Sequence, residues 1–354
     1  MTTPRILFCI AALLSLPLFP SATAQPALQP ADSTVVRVAS ALAEKSPAIR
    51  EVWRDFWSTN RTFLVLRPTE TALLVTSRTA PENYTPLPPS QVPAFLHERA
   101  YLRTEYPPEL GPRTFDPQYV LGQDTIPALQ PKGSAFFDRL DFYLHESFHG
   151  HQRAHWAETP GDTIRVGIGE HLADSTLTND PAFRAQGEVE RRILAAALDV
   201  SSRDSLRALM RSYLAVRRMR TEGRERVRAV ERSMERREGT ATYIGCHGAA
   251  AATGTERGIA CIRDHVTTPL DSLQSFPEAD ARLLRWRQYG TGAALCVVLD
   301  RLGQVNWQTE VAGGAALDRL VETVVNVDSQ NRSKTAQRAL HAFGYTKLLQ
   351  RAKN

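Results

Sequence analysis

The stretch Leu144-His145-Glu146-Ser147-Phe148-His149 constrains this chain more than any other. It lies in a run from Ser134 to Ala157 that contains no proline, where Phe137, Leu140, Tyr143, Leu144 and Phe148 recur at helical spacing. Positions four apart on a helix lie one above the other on the same face, so His145 and His149 aim two imidazoles at one point. Neutral imidazole nitrogen suits a divalent zinc ion, Zn2+, which takes four-coordinate sites. Glu146, beside the first histidine, is placed to accept a proton from water without being forced to ligate. The pattern is that of a hydrolase. His151 and His155 follow on the same run, rotated by about 240° and 280° from His145. His151 is therefore expected in solvent, and His155 packed or supporting a ligand.

At 354 residues the chain can bury a large core, and 42% hydrophobic with 23% charged residues is ordinary for a globular protein. The net charge of +5 is mild. The densest basic run, Arg217 to Arg237, is interspersed with Glu222, Glu225, Glu231 and Glu235, which reads as a solvated helix face rather than a nucleic-acid groove.

Arg5 is the one charge ahead of the apolar run Ile6 to Phe19, which Pro20 breaks, and Ala22-Thr23-Ala24 then gives a small-x-small pattern before Gln25. This predicts a secretory signal peptide over 1–24, cleaved after Ala24, and a secreted or periplasmic mature chain without a membrane span. Of the cysteines that remain, Cys246 and Cys261 flank a Gly/Ala/Thr-rich segment, His247 to Ile259, expected as a loop closed by a disulfide. They lack the C-x-x-C spacing of structural zinc sites. Cys296, inside the apolar run Ala293 to Leu299, is expected as a buried free thiol.

Along the mature chain, residues 25–34 read as extended or loosely held and Val35 to Trp57 as helical. Thr62 to Leu66 and Thr71 to Thr76 are β-rich runs around a proline-containing turn, which predicts a hairpin. Residues 79–132 hold most of the prolines and read as irregular, with a short helix at Val92 to Leu102. After the motif helix, a short strand is expected at Thr163 to Val166, then helices over Phe183–Leu198, Asp204–Met219 and Gly223–Ile244. Tyr289 to Leu349 reads as three or four helices with Trp307 and Phe343 in the core. Asn60, Asn83 and Asn331 begin N-x-[ST] glycosylation patterns. The expected class is α+β and mostly α-helical. A small N-terminal β-sheet (within 25–133) packs on the motif helix of a large helical part (134–354).

Catalytic zinc sites usually take three protein ligands, so two histidines leave one position to fill. H-E-S-F-H followed on a later helix by Glu238-Gly239-Thr240-Ala241-Thr242-Tyr243 resembles the gluzincin branch of the zincin metallopeptidases. The resemblance covers about fourteen residues in two islands. It implies zinc held by His145, His149 and Glu238, with Glu146 as general base and a peptide or protein as substrate. Glu238 stands 89 positions after His149 (238 − 149), a longer interval than in thermolysin-like enzymes. Glu231 and Glu235, near the same face, are rivals for the third ligand. Glu238 is favoured because Gly239 and Ala241 remove bulk where the metal helix must approach. A metzincin would need H-E-x-x-H-x-x-G-x-x-H, and Gln152 occupies the place of its glycine, so the helix carries His155 away. Gluzincin-like proteins commonly set a Tyr or His beside the tetrahedral oxyanion. Tyr289 is the first candidate, ahead of Tyr243 and His247. The reading is a secreted zinc-dependent metallopeptidase. The alternative is a non-catalytic exported protein that holds zinc or binds a peptide.

Overall fold

The computed structural model describes residues 30–58, 61–66, 72–103, 118–121, 124–129, 136–159, 180–268, 285–326 and 330–353. The expected signal peptide, the strand at 163–166 and the Asn60 pattern lie outside them. The chain opens with α1 (Pro30–Glu44) and α2 (Ser46–Val52). Residues 30–34 are thus helical rather than extended. The single helix expected through Trp57 is broken at Lys45, where a continuous helix would drive the Pro47 ring into the carbonyl of Ala43.

The hairpin forms as expected from β1 (Phe63–Leu66) and β2 (Ala72–Val75), paired antiparallel with Phe63 opposite Val75. The proline-rich stretch that follows contributes more strands than its sequence shows: β3 (Thr85–Pro86), β4 (Ala100–Arg103), β5 (Gln118–Leu121) and β6 (Asp124–Leu129). The sheet order is β3-β4-β2-β1-β6-β5, antiparallel except where β6 runs parallel to β1. The helix expected at 92–102 is instead a 3-10 turn at Ala94–Leu96 leading into β4, which β2 captures along its whole length. Side chains alternate across the sheet as strand geometry requires. Phe63, Val65, Leu73 and Val75 face the helices, while Leu64, Leu66, Ala72 and Leu74 join Tyr84, Ile126 and Ala128 in a second apolar cluster.

The motif helix, α3 (Phe136–His155), receives the sheet at Tyr143, whose ring meets Phe63 at 6.1 Å. Its other apolar anchor is Phe148, edge-on to Trp53 and Phe56 at 4.9 and 5.0 Å. Beyond it come α4 (Pro181–Asp199), α5 (Arg203–Arg220), α6 (Glu225–Met234), a π turn (Glu235–Gly239), α7 (Thr240–Thr253) and α8 (Arg257–Thr267). The chain ends in α9 (Arg287–Leu302), α10 (Trp307–Ala312), α11 (Leu317–Val325), α12 (Arg332–Ala342) and α13 (Tyr345–Lys353), five helices where three or four were expected. The architecture is α+β and mostly helical, with a small sheet near the N-terminus. Among the described residues no helix is long and apolar enough to cross a membrane.

Three expectations change. Cys246 and Cys261 are disulfide-bonded and Cys296 is a buried free thiol. The segment between the bonded cysteines, however, is not a loop. The alanine-rich part extends α7 to Thr253, and Gly254 at φ 64° ends it before α8 begins. The basic run is solvated only in part: Arg218, Glu222, Glu225 and Arg226 are exposed, but Arg217, Arg220, Glu231, Glu235 and Arg236 are buried. Arg217 holds Glu235 through both guanidinium nitrogens, and Arg220 bridges Glu190 and Glu231, so these charges enter the interior in hydrogen-bonded pairs. Finally, His151 is buried with its ring stacked on Phe148 at 5.4 Å, and His155 is exposed. Phe56, edge-on to the His151 ring at 5.8 Å, covers that face of α3.

Candidate metal centre

Helices α3 and α7 lie against each other along their length. Two glycines of α7 permit it. A Cβ on Gly245 would stand 2.7 Å from the Asp141 carbonyl oxygen and collide with its carboxylate, and one on Gly248 would stand 2.8 Å from Leu144 Cδ1. Gly239, by contrast, faces the backbone of Gly292 on α9, so it makes room for α9 rather than for the metal helix.

Glu238 belongs to the π turn between α6 and α7, and such turns are frequent at functional sites. Its Oε2 lies 3.5 Å from His145 Nε2 and 3.2 Å from His149 Nε2. Two ligands each about 2.0–2.1 Å from a tetrahedral ion stand about 3.3 Å apart, the spacing found here. One candidate ligand atom from each of the three residues falls within 4.8 Å of the others. The rivals are engaged elsewhere: Glu235 with Arg217, and Glu231 with Arg220.

Each imidazole is fixed by its other nitrogen. Gln152 Nε2 donates to Arg237 O (2.8 Å) and Thr240 Oγ1 (2.9 Å), which turns Oε1 toward His149 Nδ1 at 2.8 Å. His149 therefore donates from Nδ1, which leaves Nε2, the nitrogen facing Glu238, as the one an ion would take. Thr242 Oγ1 donates to Glu238 O (2.8 Å) and faces His145 Nδ1 at 3.4 Å, so Nδ1 is the donor there as well. Sequence spacing gave no hint of either partner.

The electrostatics favour a cation at this point. Burial by itself would raise the Glu238 carboxyl, but hydrogen bonds with His145 and His149 hold it well below the usual carboxylate range. Burial works against charge on His149, and contact with Glu238, aided by Glu146, overrides it and raises its pKa. Glu146 is half-buried and close enough to act on both His149 and Arg285.

Tyr289 lies at the cluster. Its ring stacks on His145 (5.5 Å, 7° between planes) and on Trp286 behind it (5.0 Å). Burial raises its pKa, and its hydroxyl hydrogen-bonds with Glu238 and Arg285. Arg285 Nη2 also stands 3.9 Å from Glu238 Oε1, a cation that sequence reading missed. The other two aromatic candidates point away: Tyr243 donates to Asp300 Oδ2 at 2.6 Å, and His247 packs on Tyr243.

The chain was compared with family models, curated proteins and solved structures, and none matches. The chemistry of the cluster therefore rests on its own atoms. Two imidazole nitrogens, each ring held through its Nδ1, and one desolvated carboxylate fit a zinc ion in both donor type and spacing.

Proposed function

We propose that this protein is an exported zinc-dependent metallopeptidase of the gluzincin type, with zinc held by His145, His149 and Glu238. The observation that carries it is the convergence of both Nε2 atoms on Glu238 Oε2, with each Nδ1 engaged elsewhere. The disulfide and the absence of a membrane-crossing helix among the described residues are compatible with export.

When bound, zinc supplies a Lewis acid that acidifies water and polarises a carbonyl. Glu146 takes the proton as water attacks the peptide carbon, then returns it to the departing amine. Burial keeps the proton on the Tyr289 phenol, which donates to the oxyanion as it forms. Arg285 holds that phenol in place.

Zinc content and cleavage of an unfolded protein substrate, measured on the same preparations, test the reading. Wild type is expected to hold one zinc per chain at this site and to cleave. His149→Ala and Glu238→Ala are expected to lose the metal, and Glu146→Gln to keep it while cleavage falls at least 100-fold. Wild type without zinc sinks the proposal, and a Glu146→Gln variant of full activity removes Glu146 from it. Zinc without any cleavage by wild type leaves the non-catalytic zinc-holding alternative.

A further inference from the structure

One helical turn before His145, on the same face of α3, Asp141 belongs to a second cluster. Cys261 and His265 stand four apart on α8, the spacing that lets two side chains aim at one point. Cys246 comes from α7. The Asp141 Oδ2, His265 Nε2 and both cysteine sulfurs lie within 4.8 Å of one another, with Oδ2 3.7 Å from Cys261 Sγ and 4.0 Å from His265 Nε2. Gly245, next to Cys246, leaves the space that the Asp141 carboxylate fills. In the disulfide, Cys261 has no proton to offer this carboxylate, so the oxidised form places an acceptor against a group that cannot donate.

We propose that Asp141, Cys246, Cys261 and His265 form a second site, for zinc or a similar thiol-binding dication, that opens only when the disulfide is reduced. Two thiolates, an imidazole and a carboxylate make a closed tetrahedral set, as structural zinc sites use. No C-x-x-C pair is needed, because Cys261 and His265 supply the paired element and the packing of α3, α7 and α8 supplies the rest. The co-reactant is a dithiol. Two electrons and two protons pass to the sulfurs as the S–S bond breaks, the dithiol closes to its own disulfide, and both thiol protons leave to solvent when the dication binds. The side chain of His265 is 39% exposed and gives the ion a way in. The Cα atoms of the two cysteines, 5.7 Å apart, need little movement to hold a common ion. Reduction would release the tie between α7 and α8, and the ion would restore it.

The test is cobalt(II) titration of the full metal-free chain in the His149→Ala background, oxidised or reduced with a trialkylphosphine under anaerobic conditions. The reduced chain is expected to take up one more cobalt per molecule than the oxidised chain, with a thiolate-to-cobalt charge-transfer band. Cys261→Ser is expected to abolish that extra ion, and His265→Ala to weaken it at least ten-fold, with helix content by circular dichroism unchanged. Equal uptake by the two redox forms overturns the proposal. So does extra uptake that survives in Cys261→Ser, or a reduced chain that loses its helices and does not regain them with cobalt. No ligand is shared with the His145 cluster, so failure here leaves the peptidase reading standing.

Discussion

The nitrogen that His145 and His149 each present to Glu238 is decided by their neighbours, Thr242 and Gln152. Gln152 has a single arrangement that satisfies its amide, because Arg237 O and Thr240 Oγ1 take its N–H groups and leave the carbonyl for His149. Replacing it with alanine removes the acceptor while leaving the ligands in place. Gln152→Ala is expected to lower zinc affinity about 10- to 100-fold, the usual effect of losing such a partner. Competition against a chromophoric chelator measures it, and unchanged affinity would show that packing alone orients the ring. That His145 and His149 face one point was legible from four-residue spacing. Gln152 entered the sequence argument only as the residue that occupies a glycine's place in another family's motif. Its partners lie 85 and 88 positions away, and no local pattern carries that information. Glu238 was separable from Glu231 and Glu235 by its Glu-Gly-Thr-Ala setting. The physical reason differs from the one expected, since the arginines of α5 occupy the other two acids.

Among the elements, the pairing of α3 with α7 matters most, because it brings the two histidines of α3 to Glu238 in the turn that leads into α7. Gly245 sets how closely they approach: any side chain there meets both the carboxylate and the carbonyl of Asp141, one turn from His145. Gly245→Ala is expected to destabilise the fold by about 1–3 kcal/mol, the cost of overpacking a tight contact. It should weaken metal binding in the same variant, because the helices cannot part without moving Glu238 from the imidazoles. Thermal unfolding and metal titration read the two effects, and an alanine variant of wild-type stability would refute the role of this contact. Long periodic helices such as α4 and α5 were legible because each carries its own apolar stripe. The strands β4 to β6 were not, because proline-rich sequence hides them and pairing selects them, β4 with β2, β6 with β1 and β5 with β6. The π turn was invisible as well: no local pattern marks it, and its close backbone approach to Gly292 on α9 joins residues more than fifty positions apart.

Across the whole molecule, buried ionisable groups oppose one another as pH changes. His247 is held neutral: burial, and then the guanidinium of Arg301, lower its pKa from the ordinary 6.5 to about 4. Among the described residues nothing hydrogen-bonds its Nε2. Between those two values the unfolded chain binds a proton that the folded chain refuses, so the stability due to this group is present above 6.5 and lost as pH falls toward 4. Glu235 has the opposite sign. Burial, only partly offset by Arg217, raises it to about 7, so between 7 and its ordinary 4.5 the folded chain holds the extra proton and gains stability as pH falls. Because the two windows overlap, wild-type stability alone cannot assign either effect, and the difference from a His247→Gln variant isolates one. From roughly pH 7.5 to about pH 5, wild type is expected to lose on the order of 2 kcal/mol more stability than His247→Gln. Urea unfolding of both proteins at each pH measures this. Parallel stability curves would mean that the interior accommodates a charged His247, and that the ring is not kept neutral by its packing between Tyr243 and Gly258.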